Sequence, residues 1–198
     1  MEQLEIEDCW DLPDDTAVPD LSALGELSAE QTLTLEAQYF DTADLALLLQ
    51  HHATLRRRTG GLDDGWHLKL PGGDSEEAEQ RTQRRELHAD LADELPAALA
   101  EALPSGVRAE DLEPSVRLST VRRQRLLATD VGTAELCTDT VTGSLGDRSV
   151  TWHELEVELV DGEVAVLEQV GVLLREAGLQ PAPISSKVRR VVIELGLS

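Results

Sequence analysis

Val150-Thr151-Trp152-His153-Glu154-Leu155-Glu156-Val157-Glu158-Leu159-Val160 alternates without a break. Residues two apart on a strand share a face. The stretch therefore reads as a β-strand with Glu154, Glu156 and Glu158 on one side and Leu155, Val157 and Leu159 on the other. Carboxylates in a row at that period repel one another. An ordinary half-buried sheet carries mixed polar side chains on its solvent face, whereas an all-acidic row asks for a cation. Charge is sorted in the same way elsewhere. Glu5 and Glu7 share a face in residues 2–10, and Arg56 and Arg58 share one in 53–59 with Leu55 opposite. Lys69 lies with His67 in 65–70, against an apolar face of Trp66, Leu68 and Leu70. Glu86 lies with Arg84 and His88 in 81–89, Arg122 with Gln124 in 115–128, and Glu135 and Asp139 with Cys137 in 133–142.

Residues 33–40 supply a further strand, so about eight strands are expected. Turn signals stand at Gly60-Gly61, at Asp63-Asp64-Gly65 and near Asp130-Val131-Gly132, where hairpins place Gly and Asp. Helices are expected over 43–51, with Asp41 or Thr42 as cap, over 95–103 and ended by Pro104-Ser105-Gly106, over 163–177 and stopped by Gly178, and over 185–195. Residues 11–31 read as a loop with a short helix, and Pro71–Gln80 as an acidic, Gly-containing loop. The order is not a regular βαβ alternation. It predicts an α+β fold: an eight-stranded antiparallel β-barrel with outer and C-terminal helices. If the helices and apolar faces lie outside, the charges point into the barrel. A buried charge must be paired, hydrated or liganded. Segregated carboxylates suit a hard cation, Mg²⁺ or Mn²⁺ rather than zinc, and clustered Arg and Lys suit phosphate oxygens.

The chain has 198 residues, which suits one domain over 1–198. Hydrophobic residues make up 41% but aromatics only 3%, so the core must rest on Leu, Val, Ile and Ala. No stretch approaches the roughly 18 apolar residues of a membrane span, and the acidic start from Glu2 is wrong for a signal peptide. Cys9 and Cys137 make no disulfide framework. A cytoplasmic monomer or homodimer is expected. The net charge of −22 argues against duplex nucleic acid or an anionic membrane as partner. Of 17 basic residues only Lys69 and Lys187 are lysines. An ammonium can approach a phosphate end-on as a guanidinium cannot.

These residues, in this order, resemble the CYTH-domain proteins of the triphosphate tunnel metalloenzyme superfamily. Glu5-Ile6-Glu7-Asp8-Cys9 is similar to the opening Glu-x-Glu-x-Lys strand, and Tyr39-Phe40-Asp41-Thr42-Ala43-Asp44 to the aromatic-Asp/Glu-Thr-Pro-Asp turn. Leu55-Arg56-Arg57-Arg58 resembles Leu-Arg-x-Arg, and Trp66-His67-Leu68-Lys69 the strand ending in Lys. Arg85-Glu86, Arg122, Glu135 with Asp139, Glu154–Glu158 and Ser186-Lys187 follow at the remaining motif positions. The resemblance implies a barrel that forms a tunnel, a triphosphate or polyphosphate ligand and a divalent metal. It implies hydrolysis of tripolyphosphate, thiamine triphosphate or a nucleoside triphosphate, with a few such proteins cyclising ATP. Arg56, Arg58, Lys69, Arg122 and Lys187 would hold phosphate. Glu5, Glu7, Glu154, Glu156 and Glu158 would hold metal, with Glu86, Glu135 and Asp139 assisting. Glu5, Glu7, Arg56, Arg58 and Lys69 are the expected catalytic set. Cys9 departs from the pattern, standing where such proteins carry Lys. A neutral thiol cannot replace that charge, though a thiolate would bind a soft metal; a weakened enzyme or a pure polyphosphate- or nucleotide-binding module is the alternative. The helical, His-rich polyphosphate-binding domain of many bacterial members is not expected after the tunnel module.

Overall fold

In the computed structural model, which describes residues 2–13, 16–72 and 81–196, ten strands occur in chain order. They are β1 (Glu2–Asp11), β2 (Glu26–Leu27), β3 (Gln31–Asp41), β4 (Thr54–Thr59), β5 (Gly65–Pro71), β6 (Arg81–Asp90), β7 (Glu113–Ala128), β8 (Gly132–Leu145), β9 (Arg148–Gly162) and β10 (Gln180–Pro181). Eight of them run β1-β6-β5-β4-β3-β7-β8-β9, and β9 pairs again with β1, so the sheet closes into an antiparallel barrel. Closure leaves no unpaired sheet edge along these strands. β2 and β10 are two-residue additions to β7 and β1.

Strands β8 and β9 run further than the apolar alternation indicates. They meet at Leu145 opposite Arg148, joined by Gly146-Asp147 with Gly146 at φ 58°, a two-residue hairpin connection. No helix forms in residues 16–31, which hold turns and β2 instead. Of the acidic loop expected over 71–80, residues 73–80 lie outside the described residues.

The described helices are α1 (Ala46–Leu49), α2 (Ala97–Glu101), α3 (Ala165–Glu176) and α4 (Lys187–Glu194), with a 3₁₀ turn at Ala109–Asp111. α1 is a single turn rather than the nine residues expected. Thr42 Oγ1 accepts the Ala46 N–H, and the Asp41 carboxylate accepts those of Leu47 and Leu48. These bonds hold 42–45 in a turn that ends with Leu45 at φ 57°. α2 begins after Pro96, its N-cap residue, and is correspondingly short.

The outer faces are covered in two places. Val166, Leu167, Val170 and Leu174 of α3 pack on Trp10, Leu136, Leu155 and Val157. α1, α2 and Val107 pack on Leu55, Trp66, Leu68 and Leu70. α4 goes elsewhere. Val188, Val191 and Val192 pack on Ala37, Tyr39, Leu118, Val141 and Trp152, which share the inward parity of Arg58, Arg56 and Arg122. The C-terminal helix therefore plugs one end of the barrel from inside. Among the described residues no helix is long and apolar enough to cross a membrane.

Candidate functional site

Above that plug the barrel encloses a cavity of about 280 Å³. Its wall takes Glu5 and Glu7 from β1, Arg56 and Arg58 from β4, Lys69 from β5 and Glu86 from β6. Arg122, Glu135, Glu156 and Glu158 come from β7, β8 and β9, and Lys187 from the first residue of α4. Glu154 and Asp139 are inward but stand behind the wall, 2% and 0% exposed. Strand parity and closure account for the convergence of the strand residues, each the inward member of its alternation, and the seating of α4 inside the barrel accounts for Lys187.

Cations and carboxylates pair across the cavity. Lys69 Nζ lies 2.6 Å from Glu5 Oε2. Arg122 donates to Asp139 at 2.9 and 2.7 Å and to Glu156 at 2.5 Å. Lys187 Nζ contacts Glu154 and Glu156 and lies 3.3 Å from Asp139. Ser186 caps α4 by accepting the Arg189 N–H, which fixes where Lys187 starts. Arg56 approaches Glu86 at 3.9 Å and donates to Tyr39 Oη at 3.4 Å. The buried Nε–H groups of Arg56 and Arg58 find no acceptor among the described residues.

The acids divide into two sets. Asp139, Glu154 and Glu156 offer oxygens within 4.8 Å of one another, but the Lys187 ammonium already sits on all three. Burial works against the charge of Glu156, yet Lys187 and Arg122 outweigh it and hold the carboxyl well below its ordinary range. Glu154 is raised by burial, with Lys187 opposing. The other set is poorer in cations. Glu158 stands opposite Glu7 on one neighbour and Glu135 on the other. Burial, then the Glu5 carboxylate, push Glu158 up to about 8. Burial, with Lys69 opposing, leaves Glu5 at about 7. Burial and mutual repulsion disfavour the charged form of Glu5 and Glu158, and a divalent cation among such carboxyls relieves that repulsion. Among the described residues the carboxylate oxygens that converge are those of Asp139, Glu154 and Glu156, whereas Glu5, Glu7 and Glu158 line the cavity clear of Lys187; both sets are hard oxygen donors of the kind a divalent cation takes.

Cys9 faces inward opposite Glu156 but does not reach the cavity. It is 4% exposed, and its thiol lies 3.8 Å from the Ser185 carbonyl as donor. Burial, then Glu7, Glu156 and Glu154, push the thiol well above its ordinary value. A soft-metal thiolate at Cys9 is therefore disfavoured. Arg84 does line the cavity. Sequence alternation does not point to Asp63, which contacts Arg58, or to Ser185 on the cavity floor. Both lie on irregular segments, where no period marks a face.

A model of the CYTH domain family matches residues 15–191. An uncharacterized protein of Mycobacterium tuberculosis is 35% identical over 212 residues, covering 96% of this chain. The chain spans 40% of the length of that relative. Among solved structures, a candidate adenylate cyclase of Bacillus halodurans aligns with a TM-score of 0.62 at 19% identity, covering 96% of this chain and 97% of that one. A candidate adenylyl cyclase of Hippeastrum, described as having a dominant triphosphatase activity, aligns at 0.60 with 20% identity, covering 97% and 96%.

Proposed function

The chain belongs to the CYTH domain family, and on that premise we propose that its barrel is a metal-dependent triphosphatase. The observation that carries the reading is the pair of buried Nε–H groups on Arg56 and Arg58 that find no acceptor among the described residues, in one cavity with Lys69, Arg122 and Lys187. Phosphate oxygens are the acceptors that suit such a set. These five cations would hold the triphosphate of tripolyphosphate, thiamine triphosphate or a nucleoside triphosphate. Glu5, Glu7 and Glu158 would hold Mg²⁺ or Mn²⁺. Glu154 and Glu156 join them only if Lys187 turns from them to the phosphate; Glu86 and Asp139 assist by holding Arg56, Arg122 and Lys187 in place, and Glu135 assists from the cavity wall, where it accepts from Gln124.

A bound divalent ion supplies Lewis-acid neutralisation of phosphate charge. The protein's part is placement. Arg56, Arg58 and Lys69 are held on paired strands, so little reorganisation is needed as charge moves onto the leaving phosphate. The α4 plug closes one end of the cavity to water. The fitting setting is the cytoplasm, which is reducing enough to keep Cys9 and Cys137 as free thiols.

Phosphate release from tripolyphosphate with Mg²⁺ or Mn²⁺ tests the reading, with Glu5→Gln as the inactive control. No release from any triphosphate sinks it. One observation favours a second reading, a binding module without turnover: Cys9 brings no charge to the cavity. Tight triphosphate binding by calorimetry with no hydrolysis selects that reading. If the missing charge is what limits turnover, Cys9→Lys raises the hydrolysis rate constant roughly tenfold or more with little change in affinity.

A further inference from the structure

The acid that holds Arg58 differs in origin from those on Arg56, Lys69, Arg122 and Lys187. Glu5, Glu86, Asp139, Glu154 and Glu156 all stand on barrel strands. Arg58 is itself 8% exposed, yet its partner is Asp63, whose side chain is 51% exposed. Asp63 belongs to the loop of residues 60–64 between β4 and β5, at the cavity lining beside Gly61 and Leu62.

The loop is built to hold Asp63 there. Gly60 adopts φ +93°, and a Cβ at this position would meet the Thr34 carbonyl oxygen at 1.9 Å, so only glycine lets the hairpin tip lie so close to β3. Asp64 accepts the Gly61 N–H at 2.8 Å. His67 Nε2 lies 3.0 Å from the Asp63 carbonyl oxygen, and His67 Nδ1 lies 2.9 Å from Glu86. A strand carboxylate can leave its partner only by changing rotamer, whereas a loop carboxylate can also move with its backbone. In charge and geometry the Asp63 carboxylate stands where a phosphate oxygen on Arg58 would be.

We propose that Asp63 is an internal anion that competes with the ligand's phosphate for Arg58, and so discriminates triphosphates from shorter phosphates. The inference rests on the triphosphate reading above. A ligand held at once by Lys69, Arg122 and Lys187 has enough attraction to displace the loop carboxylate, which its own charge then repels. Orthophosphate and pyrophosphate make fewer of those contacts and leave Asp63 in possession of Arg58. After cleavage the return of Asp63 to Arg58 favours release of the shorter products.

Calorimetry of tripolyphosphate, pyrophosphate and orthophosphate against the full chain tests this, with Asp63→Asn, Asp63→Glu and Asp64→Asn as variants and thermal melts to verify folding. Asp63→Asn is expected to bind pyrophosphate about fivefold more tightly, the scale of a half-exposed ion pair, and to gain less on tripolyphosphate. Asp63→Glu keeps the wild-type discrimination, and Asp64→Asn gains nothing. Unchanged or weaker pyrophosphate binding in Asp63→Asn overturns the proposal, since Asp63 would then only position Arg58. An equal gain in Asp64→Asn also overturns it, by assigning the effect to general relief of repulsion. Wild-type protein that binds no tripolyphosphate at all overturns the triphosphate reading itself, and this inference with it.

Discussion

Glu158 faces Glu7 across one strand pair and Glu135 across the other, and like charges directly opposite destabilise a sheet. Its inward direction is legible in the alternation of residues 150–160. Its two acidic neighbours are not, because register is a property of pairing and not of one strand. The consequence for pH has a definite sign. Glu158 and Glu5 are pushed up to about 8 and about 7 from 4.5, so the folded protein holds these protons more tightly than the unfolded chain. The stability this confers is fully present below about pH 4.5 and is lost as pH rises through about 7 to 8. The melting temperature of metal-free protein is therefore expected to fall between about pH 5 and about pH 9. Glu158→Gln should flatten that fall, and Mg²⁺ at the upper pH should reverse it. A metal-free melting temperature that rises over this range contradicts the assignment.

At the scale of the element, α4 is the part that turns a barrel into a one-ended cavity. Its apolar periodicity marks it as a helix that buries a face, but periodicity does not say which surface receives that face. Gly143 shows where it goes. A Cβ there would lie 2.1 Å from Val191 Cγ2, with Leu118 and Trp152 at 3.2 and 3.3 Å. Gly143 breaks the strand pattern for propensity reasons, and the structure supplies the packing reason: the helix needs the space. Gly143→Ala is expected to push α4 outward. It should cost about 1–3 kcal/mol of stability, the scale of overpacking, and should weaken tripolyphosphate binding by displacing Lys187. Thermal unfolding and calorimetry on the one variant check both. Unchanged melting would mean that α4 does not press on β8. Helix α1 carries the same lesson in reverse. The capping residues Asp41 and Thr42 are visible in the sequence, but so much of their capacity goes to closing the turn that one helical turn remains.

Over the whole molecule, charge is divided between inside and outside. The net charge is −22, yet six of the 17 basic residues, Arg56, Arg58, Lys69, Arg84, Arg122 and Lys187, line the cavity. A polyanion meets repulsion on approach and attraction only on entry. Screening weakens exposed long-range interactions more than enclosed ones. Raising salt to about 0.15 M is therefore expected to raise the association rate for tripolyphosphate, or to leave it unchanged. Stopped-flow mixing over a salt series measures this, and a steep fall in rate would show that the approach path is basic after all.

The amino-acid sequence alone indicated the antiparallel strands and placed Glu5, Arg56, Lys69, Arg122 and Glu156 each on the charged face of its strand, because strand alternation is local; the pairing of β9 with β1 closes the barrel and turns those faces inward. Only the tertiary structure decided which charges meet. Lys187 sits on Asp139, Glu154 and Glu156, Glu7 meets Glu158, Cys9 is sealed under Ser185, and Asp63 reaches Arg58. Each of these depends on a register, a helix seated inside the barrel, or an irregular loop. Such long-range placements are set by packing across the closed sheet, and no local pattern of side chains encodes them.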